Sequence, residues 1–445
     1  MTENNLGSVC VIGLGYVGLP LAVQAAHKGF IVNGIDLNKD LVNLVNQRIT
    51  PFVNDPEFEQ ELISLDSQLL LAHTTYDSIS DSDVVIICVP TPTENNIPDY
   101  SYVESSVKEI GKQLKHGQLI LLESTINPGV TRDRVLPILE TESGLKAGKD
   151  FYLAHCPERI DPGNKKFNVK NLNRVVGGIS LDCSEKAAEF YGKIIDAKII
   201  KLDTTEEAEF VKSWENSHRN VMIALANQAA VICDSLGMNI DNVLVGLNSK
   251  VEQFGLKLAK PGIGPGGHCI PEDIHYVISR ARQNGLDTRL LDGAVYFNDG
   301  MPNYAISKLE KMVKTDNKTL KDMKVGILGI AYKENVADPR RSPSLDLVNS
   351  LVQKCKRVII HDLFVDKEFL NSISNVDVAD SIEEILTNCD AIILATAHTG
   401  YLDYLNEETI ENSNTNYILD GRNALDMSMF KNLDVKYAGI GKNLN

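Results

Sequence analysis

Val9-Cys10-Val11-Ile12 is a short β-branched run that leads straight into Gly13-Leu14-Gly15-Tyr16-Val17-Gly18, and an alanine-rich amphipathic stretch follows to about Lys28. That order reads as strand, glycine turn, helix. The next apolar run, Ile31-Val32-Asn33-Gly34-Ile35, ends in Asp36, near the spacing of about 20 residues at which an acid meets a ribose hydroxyl. A lone glycine triplet is weak evidence, since a generic strand-to-helix turn carries glycines too. Here each part has its own job. The glycines permit a tight turn and close approach, the helix N-terminus presents free N–H groups to a pyrophosphate, and Asp36 accepts hydrogen bonds from the ribose. A carboxylate at that place repels a 2′-phosphate, and the only basic residue just after it is Lys39, so NAD is favoured over NADP.

Further apolar runs at Val84–Val89, Leu119–Leu122 and Phe151–Ala154 each end in a polar or proline-bearing loop: Pro90-Thr91-Pro92-Thr93, Glu123-Ser124-Thr125, and His155-Cys156-Pro157-Glu158-Arg159. Ligands of doubly wound sheets bind outside the C-terminal strand ends, which makes Thr125 and Glu158 site candidates despite their separation. Near Thr204 the pattern changes. Thr204 and Glu207 form a capping box ahead of a helix-period segment reaching about Leu236. Lys212 and Asn216 lie one turn apart on it, so a cation and an amide could converge on one oxygen. A solvated helix face gives the same pattern; Trp214 and the run Val221–Ala226 argue for a buried helix, where an unpaired Lys212 would be expensive.

A third region opens at Met323 with an apolar strand and the small-residue turn Gly329-Ile330-Ala331-Tyr332-Lys333, and strands at Val358–His361 and Ala391–Ala395 continue the pattern. Its glycine fingerprint is incomplete, so a mononucleotide is expected there rather than a second dinucleotide. Lys333, Arg340 and Arg341 supply local positive charge, as an ordinary charged loop also would. The expected architecture is α/β: two Rossmann-like doubly wound domains, 1–203 binding NAD and 319–445 binding the second nucleotide, joined by a central helical domain, 204–318, with one long helix.

Within the central region, after the long helix, lies Lys260-Pro261-Gly262-Ile263-Gly264-Pro265-Gly266-Gly267-His268-Cys269-Ile270-Pro271-Glu272-Asp273. Glycine and proline describe a stiff loop that brings bare backbone up to a ligand, with Asp273 one helical turn after Cys269 to handle a proton. A tight turn with a small buried thiol is the plainer reading of an isolated cysteine. Eight cysteines are spread over the chain without a Cys-x-x-Cys pair or zinc spacing, which fits reduced thiols and no metal. The net charge of −16, without a basic run, removes the electrostatic footprint expected for nucleic acid or anionic membrane. No signal-type core or membrane-length apolar stretch is seen, and the cytoplasm is the expected location.

Taken together these segments resemble the UDP-glucose/GDP-mannose dehydrogenase family, over nearly the whole chain and in the family's order. The resemblance rests on Gly13–Gly18, Glu123-Ser124-Thr125, Cys156-Pro157-Glu158-Arg159, Lys212 with Asn216, Gly266-Gly267-His268-Cys269 with Asp273, and Ala331-Tyr332-Lys333 through Pro343. Pro157 through Asn164 and Gly267 through Pro271 are most similar to the branch that oxidises UDP-N-acetylglucosamine at C6, with UDP-N-acetylmannosamine enzymes as close neighbours. One departure is visible. Where relatives carry an arginine before the glycine loop, this chain has Gln253-Phe254-Gly255-Leu256-Lys257, so that contact comes from Lys257 or Lys260, or is absent.

The resemblance implies a four-electron oxidation of a primary alcohol to a carboxylate with two NAD, through a thiohemiacetal and thioester on Cys269. It assigns Lys212 and Asn216 to the developing alkoxide, Asp273 to proton handling, and Thr125 with Glu158 to water and thioester hydrolysis. It places NAD against Gly13, Gly15, Tyr16, Val17, Gly18, Asp36, Pro90, Thr91 and Thr125. The UDP-sugar is expected against Glu158, Arg159, Lys212, Asn216, Lys260, Gly266, Gly267, Lys333 and Arg340, with Arg422 reaching it across a subunit contact. It also implies a homodimer through the central helices, consistent with the apolar face from Val221 to Ile232. Two other classes share these features: a two-electron hydroxy-acid dehydrogenase that needs no cysteine, and a sensor that keeps the fold for binding alone.

Overall fold

A computed structural model describes residues 6–52, 55–94, 97–159, 166, 168–250 and 259–442. Ile160 through Asn164 and Gln253 through Lys257, both weighed above, lie outside the described residues. The chain packs as two compact units, Met1–Glu215 with His275–Gly285, and Asn216–Ile274 with Leu286–Asn445.

The first unit is built on an eight-stranded sheet: β1 (Ser8–Ile12), β2 (Ile31–Ile35), β3 (Leu70–His73), β4 (Val84–Ile87), β5 (Leu119–Leu122), β6 (Tyr152–His155), β7 (Arg174–Gly178) and β8 (Ile199–Leu202). Their spatial order is β8-β7-β6-β5-β4-β1-β2-β3. Strands β1 to β6 thus have the dinucleotide-fold order 3-2-1-4-5-6 and are parallel, and only the β6–β7 pairing is antiparallel. The run at β1 is apolar throughout because both faces are covered: Val9 and Val11 enter one core cluster, Cys10 and Ile12 the other. Each fully buried aliphatic side chain of this kind contributes about 1.5–3 kcal/mol. Since β4, β5 and β6 are adjacent and parallel, the loops bearing Thr91, Thr125 and Glu158 leave one sheet edge, as expected.

The second unit repeats the plan. Its strands β9 (Lys324–Leu328), β10 (Arg357–His361), β11 (Asp377–Val378), β12 (Ala391–Leu394), β13 (Tyr417–Asp420) and β14 (Lys436–Gly439) lie in the order β11-β10-β9-β12-β13-β14, every pair parallel. That is again 3-2-1-4-5-6. Both Rossmann-like sheets expected from the sequence are present.

Four helices matter below: α1 (Gly18–His27), α2 (Thr205–Leu236), α3 (Ile270–Gln283) and α4 (Arg289–Asp299). The 32 residues of α2 contain neither glycine nor proline, which lets it run for roughly 48 Å. Its capping box is formed: Glu207 N donates to Thr204 Oγ1 at 3.2 Å and Thr204 N to Glu207 Oε2 at 3.1 Å. Gly237, at φ +71°, ends it in the left-handed region. The expected burial of this helix needs correction. Trp214 is 45% and Leu225 50% exposed, because one face of α2 has no cover among the described residues. Among the described residues no helix is long and apolar enough to cross a membrane, and no group of three or more His, Cys, Asp or Glu could hold a metal.

Candidate functional site

In the first unit the site begins at the turn after β1. Gly13 has φ +91°, and a Cβ there would lie 2.5 Å from the Cys88 carbonyl at the end of β4. A Cβ at Gly18 would overlap the Gly13 carbonyl. Gly15 differs: nothing stands within 4 Å of where its Cβ would be, which leaves open space above the start of α1 for a phosphate to meet backbone N–H groups. Asp36 Oδ2 accepts from Leu14 N at 2.9 Å, and Oδ1 from Asn38 N at 2.9 Å. These bonds hold the carboxylate at the end of β2 with lone pairs to spare for a ribose. Tyr16, two-thirds exposed, stacks on Phe52 with ring centroids 4.6 Å apart. Beyond Asp36 lies a cavity of about 390 Å³ lined by Lys39, Val42, Asn43 and Ala72 to Thr75. The residues after β3 were not marked by the sequence reading, though their place at a strand end was the available signal. The glycine cradle and the half-buried acid fit NAD.

At the ends of β5 and β6, Thr125 and Glu158 are both half-buried. Thr91 Oγ1 donates to the Thr125 carbonyl at 2.8 Å, tying two loops together, and Pro90 beside it is exposed. Lys212, buried on α2, forms an ion pair with Glu158 at 3.9 Å, so the lysine that needed a partner has one. Arg159 Nε donates to Glu215 Oε2 at 2.9 Å and Arg159 Nη1 to the Asn173 carbonyl at 3.2 Å, so its guanidinium is engaged within the protein. Beneath these loops sits a buried group that the sequence did not reveal. Arg174 Nη1 reaches both Glu123 oxygens at 2.8 Å, and the Tyr191 hydroxyl donates to Glu123 Oε1 at 2.5 Å. Arg174 Nη1 also lies 3.8 Å from Cys156 Sγ; Glu123 and Cys156 begin the Thr125 and Glu158 loops, so Arg174 touches the start of both.

The second unit holds the cysteine loop. Asn216 Nδ2 donates to Asp273 Oδ2 at 2.6 Å, and Asp273 N donates to the Cys269 carbonyl at 2.9 Å, confirming the one-turn spacing. Asn220 Nδ2 donates to the Ile270 carbonyl at 3.1 Å, Asn298 Nδ2 on α4 donates to Asn220 Oδ1 at 3.0 Å, Asn227 Nδ2 donates to Asn298 Oδ1 at 3.0 Å, and Gly262 N donates to Asn227 Oδ1 at 2.8 Å. A chain of amides thus pins the loop at both ends, before Ile263 and after Cys269. Asn220 and Asn227 continue the row that Asn216 begins at helical spacing, a signal in the sequence that was not used.

The loop glycines accommodate the protein itself. A Cβ at Gly266 would stand 2.7 Å from Tyr332 Cβ and 2.8 Å from Pro343 Cδ; one at Gly267, where φ is +84°, would stand 2.8 Å from the Tyr332 ring. Gly267 N donates to the Arg340 carbonyl at 3.2 Å. The loop is therefore packed on the Tyr332–Arg341 segment, which carries Lys333. Arg340 is engaged by Asp338, Nη2 to Oδ2 at 2.6 Å, and Arg341 Nε pairs with Glu272 Oε1 at 2.8 Å. Lys260 is exposed and Lys333 half-buried. Arg422, after β13, donates from Nε to the Ala395 carbonyl at 2.6 Å and from Nη1 to the Gly264 carbonyl at 3.3 Å. Its buried Nη2 has no hydrogen-bond partner among the described residues, and burial brings the guanidinium down to about 10 against the pull of Glu334 and Asp420. A buried cationic nitrogen without an acceptor suits an anionic ligand.

Burial also separates the thiols. It pushes Cys10, Cys156 and Cys389 up to about 12 and Cys355 up to about 11, and raises Cys88 well above an ordinary thiol. Such cysteines are inert packing groups. Cys269, by contrast, is half-exposed at the N-terminus of α3.

Comparison with known proteins covers most of the chain. Residues 7–195 match the NAD binding domain of the UDP-glucose/GDP-mannose dehydrogenase family, 206–300 its central domain and 326–427 its UDP binding domain. The chain is 32% identical to the UDP-N-acetyl-D-mannosamine dehydrogenase of Pyrococcus horikoshii over 94% of its own length and 96% of that protein. It is likewise 32% identical to a UDP-N-acetyl-D-glucosamine 6-dehydrogenase of Pseudomonas aeruginosa, over 88% and 91%. The solved structure of the Pyrococcus UDP-D-ManNAc dehydrogenase superposes with a TM-score of 0.88, covering 98% of this chain and 99% of that one. With its NAD cradle, its second nucleotide sheet and these matches along its length, the chain belongs to the UDP-glucose/GDP-mannose dehydrogenase family of NAD-dependent nucleotide-sugar dehydrogenases.

Proposed function

We propose that this chain oxidises the C6 hydroxymethyl of a UDP-N-acetylhexosamine to the uronic acid, using two NAD in turn and Cys269 as the covalent nucleophile. The carrying observation is the bond from Asn216 to Asp273, one helical turn from Cys269. The sequence motifs favour the N-acetylglucosamine epimer. Relatives named for both epimers support an acetamido sugar of either configuration, with UDP-glucose the next reading.

NAD, when bound, supplies the hydride acceptor. In the first oxidation the C6 hydroxyl gives its proton to water while Lys212 and Asn216 stabilise the alkoxide, and C6 gives up a hydride to leave the aldehyde. The Cys269 sulfur then bonds to C6, its proton passing to Asp273, which makes the carbon a hydride donor again. Loss of the second hydride leaves a thioester. Water, deprotonated by Glu158 and held by Thr125, attacks the carbonyl carbon, the C–S bond breaks, and the thiolate departs. The balance is one alcohol, one water and two NAD giving one carboxylate, two NADH and three protons. Lys333 and the free nitrogen of Arg422 are suited to the UDP part.

We further infer a homodimer that buries the open face of α2, where Phe210 stacks on Trp214 and Leu225 and Ile232 continue the apolar row. Cysteines without a disulfide among them support a reducing, cytoplasmic setting.

The test follows NADH with UDP-N-acetylglucosamine, UDP-N-acetylmannosamine, UDP-glucose and GDP-mannose. Two NADH per acetamido sugar are expected. One NADH would point to a two-electron dehydrogenase, and tight binding without turnover to a sensor.

A further inference from the structure

The two sheets treat the same acid differently. In the first unit Gly13 N donates to the Ile35 carbonyl and Leu14 N to Asp36. In the second unit Gly329 N donates to the His361 carbonyl at 2.9 Å and Ile330 N to Asp362 Oδ2 at 2.6 Å. Gly329, at φ +97°, meets Thr396 at the end of β12 as Gly13 meets Cys88 at the end of β4. Asp36 and Asp362 are therefore topological equivalents, each after the second strand.

Asp362 has no capacity left for a ribose. Besides Ile330 N, Oδ2 accepts from Ala331 N at 2.9 Å and faces His398 Nε2 at 3.2 Å, while Oδ1 accepts from Phe364 N at 2.8 Å and Val365 N at 2.9 Å. Burial pushes this carboxyl up, but the His398 contact and the backbone N–H groups outweigh it and hold it well below the usual carboxylate range. The tautomer of His398 follows from its other partner. Asn335 N lies 2.8 Å from Nδ1, and an amide N–H can only donate, so Nδ1 is bare and the ring proton is on Nε2, directed at Asp362.

These contacts enclose the turn that carries Lys333. Asp362 holds the Ile330 and Ala331 amides, Thr396 Oγ1 donates to the Ala331 carbonyl at 2.5 Å, and Tyr332 N donates to the Asp338 carbonyl at 2.9 Å. On the far side, Asn335 takes the left-handed φ of +59°, gives its N–H to His398, and exchanges side-chain bonds with Thr399 at 2.9 and 3.0 Å. His398 and Asp362 are both fully buried at the side chain, whereas Lys333 is half-buried.

We propose that His398 is a positioning residue for the nucleotide-sugar: its neutral ring, fixed between Asp362 and the Asn335 amide, locks the Ala331–Asn335 turn so that Lys333 is presented to the UDP group. This rests on the reading of Lys333 as a UDP-sugar contact. The clamp closes the place where a second ribose would sit and uses it to order the neighbouring phosphate contact. Tyr332, inside the same turn, packs on Gly266 and Gly267, so the turn also borders the cysteine loop.

UDP titrated into the NADH-loaded enzyme reads the clamp. His398→Phe, which keeps ring volume and removes both nitrogens, is expected to weaken UDP roughly tenfold and leave NADH affinity unchanged. His398→Asn, whose Oδ1 can still accept the Asn335 N–H, is expected to recover most of that loss. In a double-mutant cycle, His398→Phe made on Lys333→Ala should cost little beyond Lys333→Ala alone. Additive losses, or unchanged UDP affinity in a folded His398→Phe, overturn the proposal. If Lys333→Ala itself leaves UDP binding intact, the reading of Lys333 fails, and the clamp with it. Should His398→Phe not fold, Thr396→Val, which frees the Ala331 end of the turn, goes through the same cycle, and additivity there overturns the proposal equally.

Discussion

Asn216 Nδ2 stands 2.6 Å from Asp273 Oδ2, so the amide assigned to the alkoxide is oriented by the carboxylate assigned to the thiol proton. Replacing Asp273 by Asn removes the proposed proton acceptor and leaves two amides facing each other. Turnover is expected to fall by about a hundredfold or more, as for loss of a general base, with NAD affinity unchanged. Cys269→Ser is expected to stop acid formation and lower the yield to one NADH per sugar or less. Stopped-flow absorbance of NADH with product analysis reads both, and a fully active serine variant would contradict covalent chemistry.

Gly267 combines a left-handed backbone with a ring at van der Waals range. Gly267→Ala is expected to destabilise by about 2–4 kcal/mol, from the backbone cost and the Tyr332 clash together. Gly285 is the control: its φ is +71°, but nothing lies within 4 Å of its Cβ position. Gly285→Ala should cost only the backbone component of about 1–2 kcal/mol. Denaturant melts of the two variants measure the difference, and equal losses would mean that Tyr332 yields.

Glu209, one turn before Lys212, accepts from Gly129 N and from Thr131 N at 2.9 Å. Burial pushes its carboxyl up to about 7 even so. The folded state holds a proton that the unfolded chain releases at its ordinary, lower value. The associated stability is fully present in acid and is lost as pH rises through 7, by up to about 3 kcal/mol. Glu209→Gln stays neutral, so its stability relative to the parent protein should improve between pH 5 and pH 8. Melting curves at both pH values decide this, and a constant difference would place the carboxyl in its ordinary range.

The exposed face of α2 predicts its own disruption. Trp214→Glu combined with Leu225→Glu is expected to convert a dimer to monomers in sedimentation velocity. A double variant that still sediments as a dimer would move the interface elsewhere.

What could be read from the sequence was local. The Gly13–Gly18 turn, Asp36 and the Thr204–Glu207 box are each written within a few residues, where strand period, glycine placement and capping chemistry act directly. Asn216 with Asp273, Lys212 with Glu158 and Glu123 with Arg174 are instead made by residues more than fifty positions apart, and spacing carries no trace of such pairings. Trp214 was misread for a related reason: an apolar residue on a helix signals cover without saying whether the same chain supplies it. The glycines before Cys269 were read as bringing bare backbone up to a ligand, and two of them also stand against Tyr332 and Pro343, since a glycine shows only that something comes close.

The saturated carboxylate of Asp362 has a consequence for redesign. Grafting the missing glycines into the 329–334 turn would not endow the second sheet with a dinucleotide site, because the acid such a site requires is already committed to four amides and an imidazole. Any conversion would have to begin by evicting His398, and would unfasten Lys333 in doing so.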